Sequence, residues 1–125
     1  MKNKYLISYK EDHIEATSDG PKTLECIIHL WSKIIDACKE CTCFNILNIS
    51  NSLSPITVTE AINHLKSFEH LQITNDYRVV WVELNPACCE SNLLIESLLL
   101  TEGMNVRAFM DIDDARRWLF FGRSI

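Results

Sequence analysis

The segment Arg78-Val79-Val80-Trp81-Val82-Glu83-Leu84 is almost unbroken in its apolar character and rich in β-branched and aromatic side chains. A strand with one solvated face alternates polar and apolar residues. A continuous run belongs to a strand covered on both faces, and such strands lie inside parallel sheets flanked by helices. This one segment therefore requires parallel neighbours and crossover helices from the rest of the chain.

The remaining periodicities supply them. Two short alternating runs, residues 5–9 and 13–17, are separated by Lys10-Glu11-Asp12 and read as an antiparallel hairpin. Beyond Ser18-Asp19-Gly20-Pro21, the residues Leu24, Ile27, Ile28, Trp31, Ile34, Ile35 and Cys38 recur at three-and-four spacing, which predicts a helix over residues 22–40. Residues 44–50 have the length and β-branched content of a strand, closed by the turn chemistry of Asn51-Ser52-Leu53-Ser54-Pro55. Thr57 with Glu60 three residues on makes a capping box, and Val58, Ala61, Ile62, Leu65 and Phe68 give the following helix one apolar face. Asn85-Pro86 opens a third helix that runs through Leu100 and stops at Gly103. Residues 105–109 form the last strand. Asp111, Asp113 and Asp114 then favour the positive end of a final helix carrying Ala115, Trp118 and Leu119.

The order ββαβαβαβα in 125 residues predicts one α/β domain. An N-terminal β-hairpin is followed by βαβ-type units, giving a mostly parallel five-stranded sheet flanked by four helices with right-handed crossovers.

Composition narrows the function classes. A net charge of −5 argues against nucleic acid as the main partner, because that affinity needs a basic face. With three Gly and three Pro, the chain has little material for phosphate-cradling loops or strained nucleophile turns. Met1-Lys2-Asn3-Lys4 leads directly into an alternating run without the apolar stretch of a secretion signal. The most apolar window, residues 93–100, is broken by Glu96 and Ser97 and falls short of the roughly 20 residues of a membrane helix. The expectation is a cytoplasmic protein with no integral membrane segment, whose six cysteines remain thiols.

The element order, the buried-strand signal of Val79-Val80-Trp81-Val82, and the ending Glu102-Gly103-Met104-Asn105-Val106-Arg107-Ala108-Phe109-Met110-Asp111 running into Ala115-Arg116-Arg117-Trp118-Leu119 resemble the small bacterial STAS-like proteins. STAS names the domain shared by sulphate transporters and anti-sigma-factor antagonists. The resemblance covers nearly the whole chain. It implies a non-enzymatic regulatory or protein-interaction domain. In the regulatory branch, a serine at the start of the helix after the third strand is phosphorylated by a partner kinase. The corresponding stretch here, Asn51-Ser52-Leu53-Ser54-Pro55-Ile56-Thr57, departs from the usual Asp-Ser-Ser-Gly and lacks its glycine. Ser54 and Thr57 are the candidate phosphosites, since a phosphate beside a helix N-terminus meets free amides and the positive dipole end. Some STAS-like folds also resemble the lipid-binding Sec14-type domain, so the alternative function is a carrier of a lipid or other small apolar ligand.

Other constellations have simpler readings. Cys38-x-x-Cys41-x-Cys43 has thiolate spacing suited to zinc, but Cys88 and Cys89 would fall at the opposite end of a parallel sheet, so no metal and no cofactor is assigned. Glu60 and His64, one helical turn apart, read as an exposed pair, and His29 as a solvated side chain. Asp111, Asp113 and Asp114 read as capping residues in preference to cation ligands. Ligands of doubly wound sheets settle at the carboxyl ends of strands, so the loops holding Ser52, Ser54, Asn85, Cys88 and Asp111 mark where a ligand or partner docks. Leu93, Leu94, Ile95, Leu98, Leu99 and Leu100 occupy more of the third helix than one sheet contact covers. With Leu119, Phe120 and Phe121, they suggest a second buried face and a homodimer interface that includes Leu94, Leu98, Phe120 and Phe121.

Overall fold

The structure, a computed structural model, describes residues 4–19, 23–52 and 54–121. Strands β1 (Lys4–Tyr9) and β2 (Ile14–Asp19) form the hairpin, followed by helix α1 (Leu24–Cys41), strand β3 (Asn45–Ser50) and helix α2 (Val58–His70). Strand β4 (Arg78–Glu83), a 3₁₀ turn (Pro86–Cys88), helix α3 (Cys89–Thr101), strand β5 (Asn105–Phe109) and helix α4 (Ile112–Phe121) complete the chain.

The five strands lie in the order β1-β2-β3-β4-β5, with β1 antiparallel to β2 and every other pairing parallel. Spatial order equals chain order, so each crossover moves one strand in the same direction and its helix stays on the same face. The sheet is therefore singly wound. It has no point where strand order reverses, which corrects the doubly wound argument used above to place a ligand.

One face carries the larger core. Ile14 and Ala16 of β2, Ile46 of β3 and Val79 and Trp81 of β4 pack against Trp31, Ile34, Phe68, Ile95 and Leu99 from α1, α2 and α3. Trp31, Phe68 and Trp81 form an aromatic centre, with the Trp31 ring 4.7 Å from that of Phe68 and 5.3 Å from that of Trp81. Alternate residues of the same strands, Leu47, Ile49, Val80 and Val82, make a second core with Ala115 and Leu119 of α4, the helix that packs on the other face among the described residues. This two-sided burial is what the continuous apolar run in β4 required.

Helix α3 lies against α2 and β5. It buries Asn92, Ile95 and Leu99. Leu94 and Leu98 are half-buried against the larger core, while Leu93 and Leu100 are the exposed apolar residues of this helix. Phe120 packs against the second core and lies 5.3 Å, ring to ring, from His13, and the Phe121 side chain falls outside the described residues.

His64 corrects its expectation. It is buried rather than paired with the Glu60 carboxylate, donating through Nδ1 to the Glu60 carbonyl at 3.0 Å and meeting the Trp81 ring edge-on. The Glu60 carboxylate instead accepts from the Thr57 amide at 2.9 Å to close the capping box. His29 is exposed, with its Nδ1 2.8 Å from the Tyr5 hydroxyl.

Among the described residues, no helix is long and apolar enough to cross a membrane.

Candidate functional site

The parity that buries Val79 and Trp81 carries Glu83, at the end of β4, onto the three-helix face. Its carboxylate is only 2% exposed. A buried carboxylate is strongly disfavoured unless donors surround it, and here they come from the two loops that leave the sheet beside it. Glu83 Oε2 accepts from the Ser52 amide at 2.9 Å and from the Asn85 amide at 3.1 Å, while Oε1 accepts from the Ser52 hydroxyl at 2.6 Å. Asn85 closes the circuit by donating Nδ2 to the Ser52 carbonyl at 2.8 Å. Its Oδ1 accepts from the Ala87 amide at 3.1 Å, starting the 3₁₀ turn at Pro86.

The start of α3 is tied to the same ledge. Ser91 Oγ accepts from the Ile56 amide at 3.0 Å and donates to the Cys88 carbonyl at 2.8 Å. Cys88 is buried and Cys89 half-buried, and burial first, then the charge of Glu83, pushes both thiols upward. They are therefore protonated at neutral pH, the poor state for nucleophilic or metal-binding chemistry. In register with Glu83, across the sheet, lie Ser50 and Ser18, both buried, so the carboxyl ends of three strands carry a polar row on the helix-covered face.

This geometry is a clamp. One carboxylate fixes the loop after β3 to the loop after β4 and holds their outer residues in a common surface.

The comparisons bear on what kind of scaffold carries it. No family model matches the sequence, and no curated protein matches it. Among solved structures, an uncharacterised protein of the DUF3478 family with a SpoIIAA-like fold, from Shewanella loihica PV-4, superposes with a TM-score of 0.58. The match covers 94% of this chain and 93% of that one at 15% identity. The chain has a SpoIIAA-like fold. The STAS-like architecture expected from the last strand and helix is thus the one observed.

Within the SpoIIAA-like fold, the residues singled out from sequence occupy distinct positions. Ser52 and Cys88 lie inside the clamp, buried, whereas Ser54 stands exposed on the same loop. Thr57 is exposed but uses its Oγ1 to accept from the Glu60 amide at 3.1 Å. Asp111 caps α4, accepting from the amides of Asp113 at 2.7 Å and Asp114 at 3.1 Å. The sheet separates the cysteines as anticipated. Cys41 and Cys43 line a depression with Arg78 and Asn105 at the strand starts, and Cys89 lies with Phe109 and Met110 at the strand ends. Among the described residues, no group of three or more His, Cys, Asp or Glu is arranged to hold a metal ion.

Sequence reasoning missed Glu83, the centre of the site. The signal was present as a carboxylate at the end of an apolar strand on the same parity as Val79 and Trp81, a place where a charge must find partners.

Proposed function

We propose that this protein is a non-enzymatic, STAS-like interaction module of the cytoplasm, whose partner surface is formed by the loops after β3 and β4 and the start of α3. The observation that carries this reading is the Glu83 clamp. It spends a buried charge on holding two surface loops in fixed relation, which lowers the ordering cost of docking. Ser54 is the position on this surface suited to modification, being exposed and three residues before the α2 N-cap, where added phosphate would face the positive helix end. Thr57 is the weaker acceptor because its hydroxyl already caps α2. Cytoplasmic residence fits a chain whose cysteines are free thiols.

The carrier reading is disfavoured by the packing of Trp31, His64, Phe68 and Trp81, which fill the space between sheet and helices where an apolar ligand would lie.

The test is photo-crosslinking in the cells that express the protein, with a photoreactive residue at Ser54 or, as a control at the opposite end of the sheet, at Asp76. The expected result is a discrete protein adduct from position 54, absent from position 76 and lost when Glu83→Ala unties the loops. Equal adducts from both positions, or none from either, would refute the assigned surface.

A further inference from the structure

We propose that the groove between the start of α3 and the end of β5 receives a basic, amphipathic helical segment of a protein partner, seated by insertion of an apolar side chain. This rests on the interaction-module reading above and names the chemistry of the partner. The groove encloses about 280 Å³ and is walled by Pro86, Cys89, Leu93, Ala108, Phe109 and Met110. Leu93 is 49% and Met110 69% exposed, so large apolar side chains stand in water around a concave apolar surface. The volume lies at the bottom of the range for small-molecule pockets, about 300–1,000 Å³, and suits one anchoring side chain better than a whole ligand.

Two further observations define the occupant. Asn92 lines the groove, is 4% exposed, and its Oδ1 has no hydrogen-bond partner among the described residues. An unsatisfied buried acceptor calls for a donor, and an incoming N–H or O–H is the one this groove lacks. The residues lining the groove include no Lys or Arg but do include the exposed Glu90, and the exposed Asp111, Asp113 and Asp114 follow Met110 closely in the chain. The neighbouring cations are already engaged, Arg117 with Asp114 at 2.7 Å and Arg107 with Glu96 at 3.9 Å. An apolar centre with an acidic rim is complementary to a basic amphipathic segment. A second copy of this chain, with its net charge of −5, would set the same carboxylates against one another.

The mode of binding follows from the sheet edge. An added strand would need the outward amides of β5, but Glu96 Oε2 already accepts from the Ala108 amide at 2.6 Å. A helix laid in the groove needs no such amide.

The experiment titrates the ¹⁵N-labelled full chain with a short synthetic amphipathic helix of Leu and Lys, and with its Leu and Glu counterpart. The expected result is saturable amide shifts confined to residues 87–93 and 108–111 with the Lys peptide alone. Binding should weaken about tenfold in Leu93→Gln and in Met110→Gln, and stay unchanged in Leu6→Gln at the far edge of the sheet. Both groove residues are exposed, so these variants retain the fold, which circular dichroism verifies. Equal binding of the Glu peptide, shifts centred on residues 51–57, or no shifts overturn the proposal. So does a dimer in solution abolished by Leu93→Gln, which would make the occupant a second copy, or a co-purified lipid displaced by the peptide. A crosslink at Ser54 with a silent groove sinks the groove alone. Silence at both sites sinks the module reading as well.

Discussion

The Arg78 guanidinium lies 3.6 Å from the centroid of the Trp118 ring and donates to the backbone carbonyl of that same residue at 2.6 Å. A second donation, from Nε to the Leu119 carbonyl at 3.3 Å, completes the cap of α4. The last carbonyls of a helix have no intrahelical partner, and a cation there also opposes the negative end of the dipole. The first residue of β4 thus fastens α4 to the second face of the sheet, and the Trp118-Leu119 pair serves this anchoring.

Arg78→Ala is expected to lower stability by about 2–3 kcal/mol, the sum of a charged hydrogen bond and a cation–π contact. Arg78→Lys should recover only part of it, because an ammonium cannot fork to two carbonyls and stack at once. Urea unfolding followed by tryptophan fluorescence measures both. A loss below about 0.5 kcal/mol for the alanine variant, within ordinary surface effects, would show that α4 is held by its apolar face alone.

Glu83→Ala should cost about 2 kcal/mol or more, since it removes both acceptor oxygens and leaves the Ser52 amide and hydroxyl and the Asn85 amide without them. The loss should appear locally as well, as faster hydrogen exchange of the amides over residues 51–56. Ser52→Ala in a double-mutant cycle with it should show coupling, and strict additivity would dissolve the clamp.

Helix endings reveal a stabilising substitution. The α3 end is a Schellman motif, with the Met104 amide bonded to the Leu99 carbonyl and the Gly103 amide to the Leu100 carbonyl, both at 3.0 Å. α1 closes the same way through Cys43 and Thr42, and α2 through Ile73 and Gln72. The left-handed position is glycine only in α3, with φ +81°, while Thr42 and Gln72 adopt φ 52° and 58°. A β-branched residue is strained there. Thr42→Gly should stabilise by roughly 1 kcal/mol and raise Tm by about 4 °C, and an unchanged or lower Tm would contradict that strain.

Alkaline pH should destabilise the protein. Burial pushes the Cys38 thiol from its ordinary 9.0 up to about 12, and burial also raises Cys88, Cys89 and Tyr77. The folded state keeps protons that the unfolded chain releases, so stability is intact below pH 9 and declines between there and about 12. Tm measured from pH 7 upward should bend down at the ordinary thiol range, less so in Cys38→Ala. Alkylation at pH 8 should label exposed Cys41 well before Cys38, and the reverse order would overturn the burial argument.

The elements were legible because their signals are local. The capping box at Thr57, the glycine after α3 and the apolar run in β4 each reflect a rule read within a few residues. The C-terminal motif identified the architecture for the same reason. What escaped was nonlocal. The α1 and α2 endings place Thr42 and Gln72 where a glycine would have signalled the stop, and His64 turned inward against the ring of Trp81, from a strand beyond α2. Glu83 became a site only when β3 and β4 ran side by side and brought Ser52 within reach. Strand adjacency, rather than residue type, assembled the clamp.

The second core draws on β3, β4 and the end of β5, strands already joined in the sheet, and α4 closes it. That surface exists only once β3, β4 and β5 are side by side, so α4 depends on the assembled sheet and is the natural unit to open first. When it lifts, Leu47, Ile49, Val80 and Val82 are bared together, turning one flank of a finished sheet into an adhesive surface for the duration of the opening.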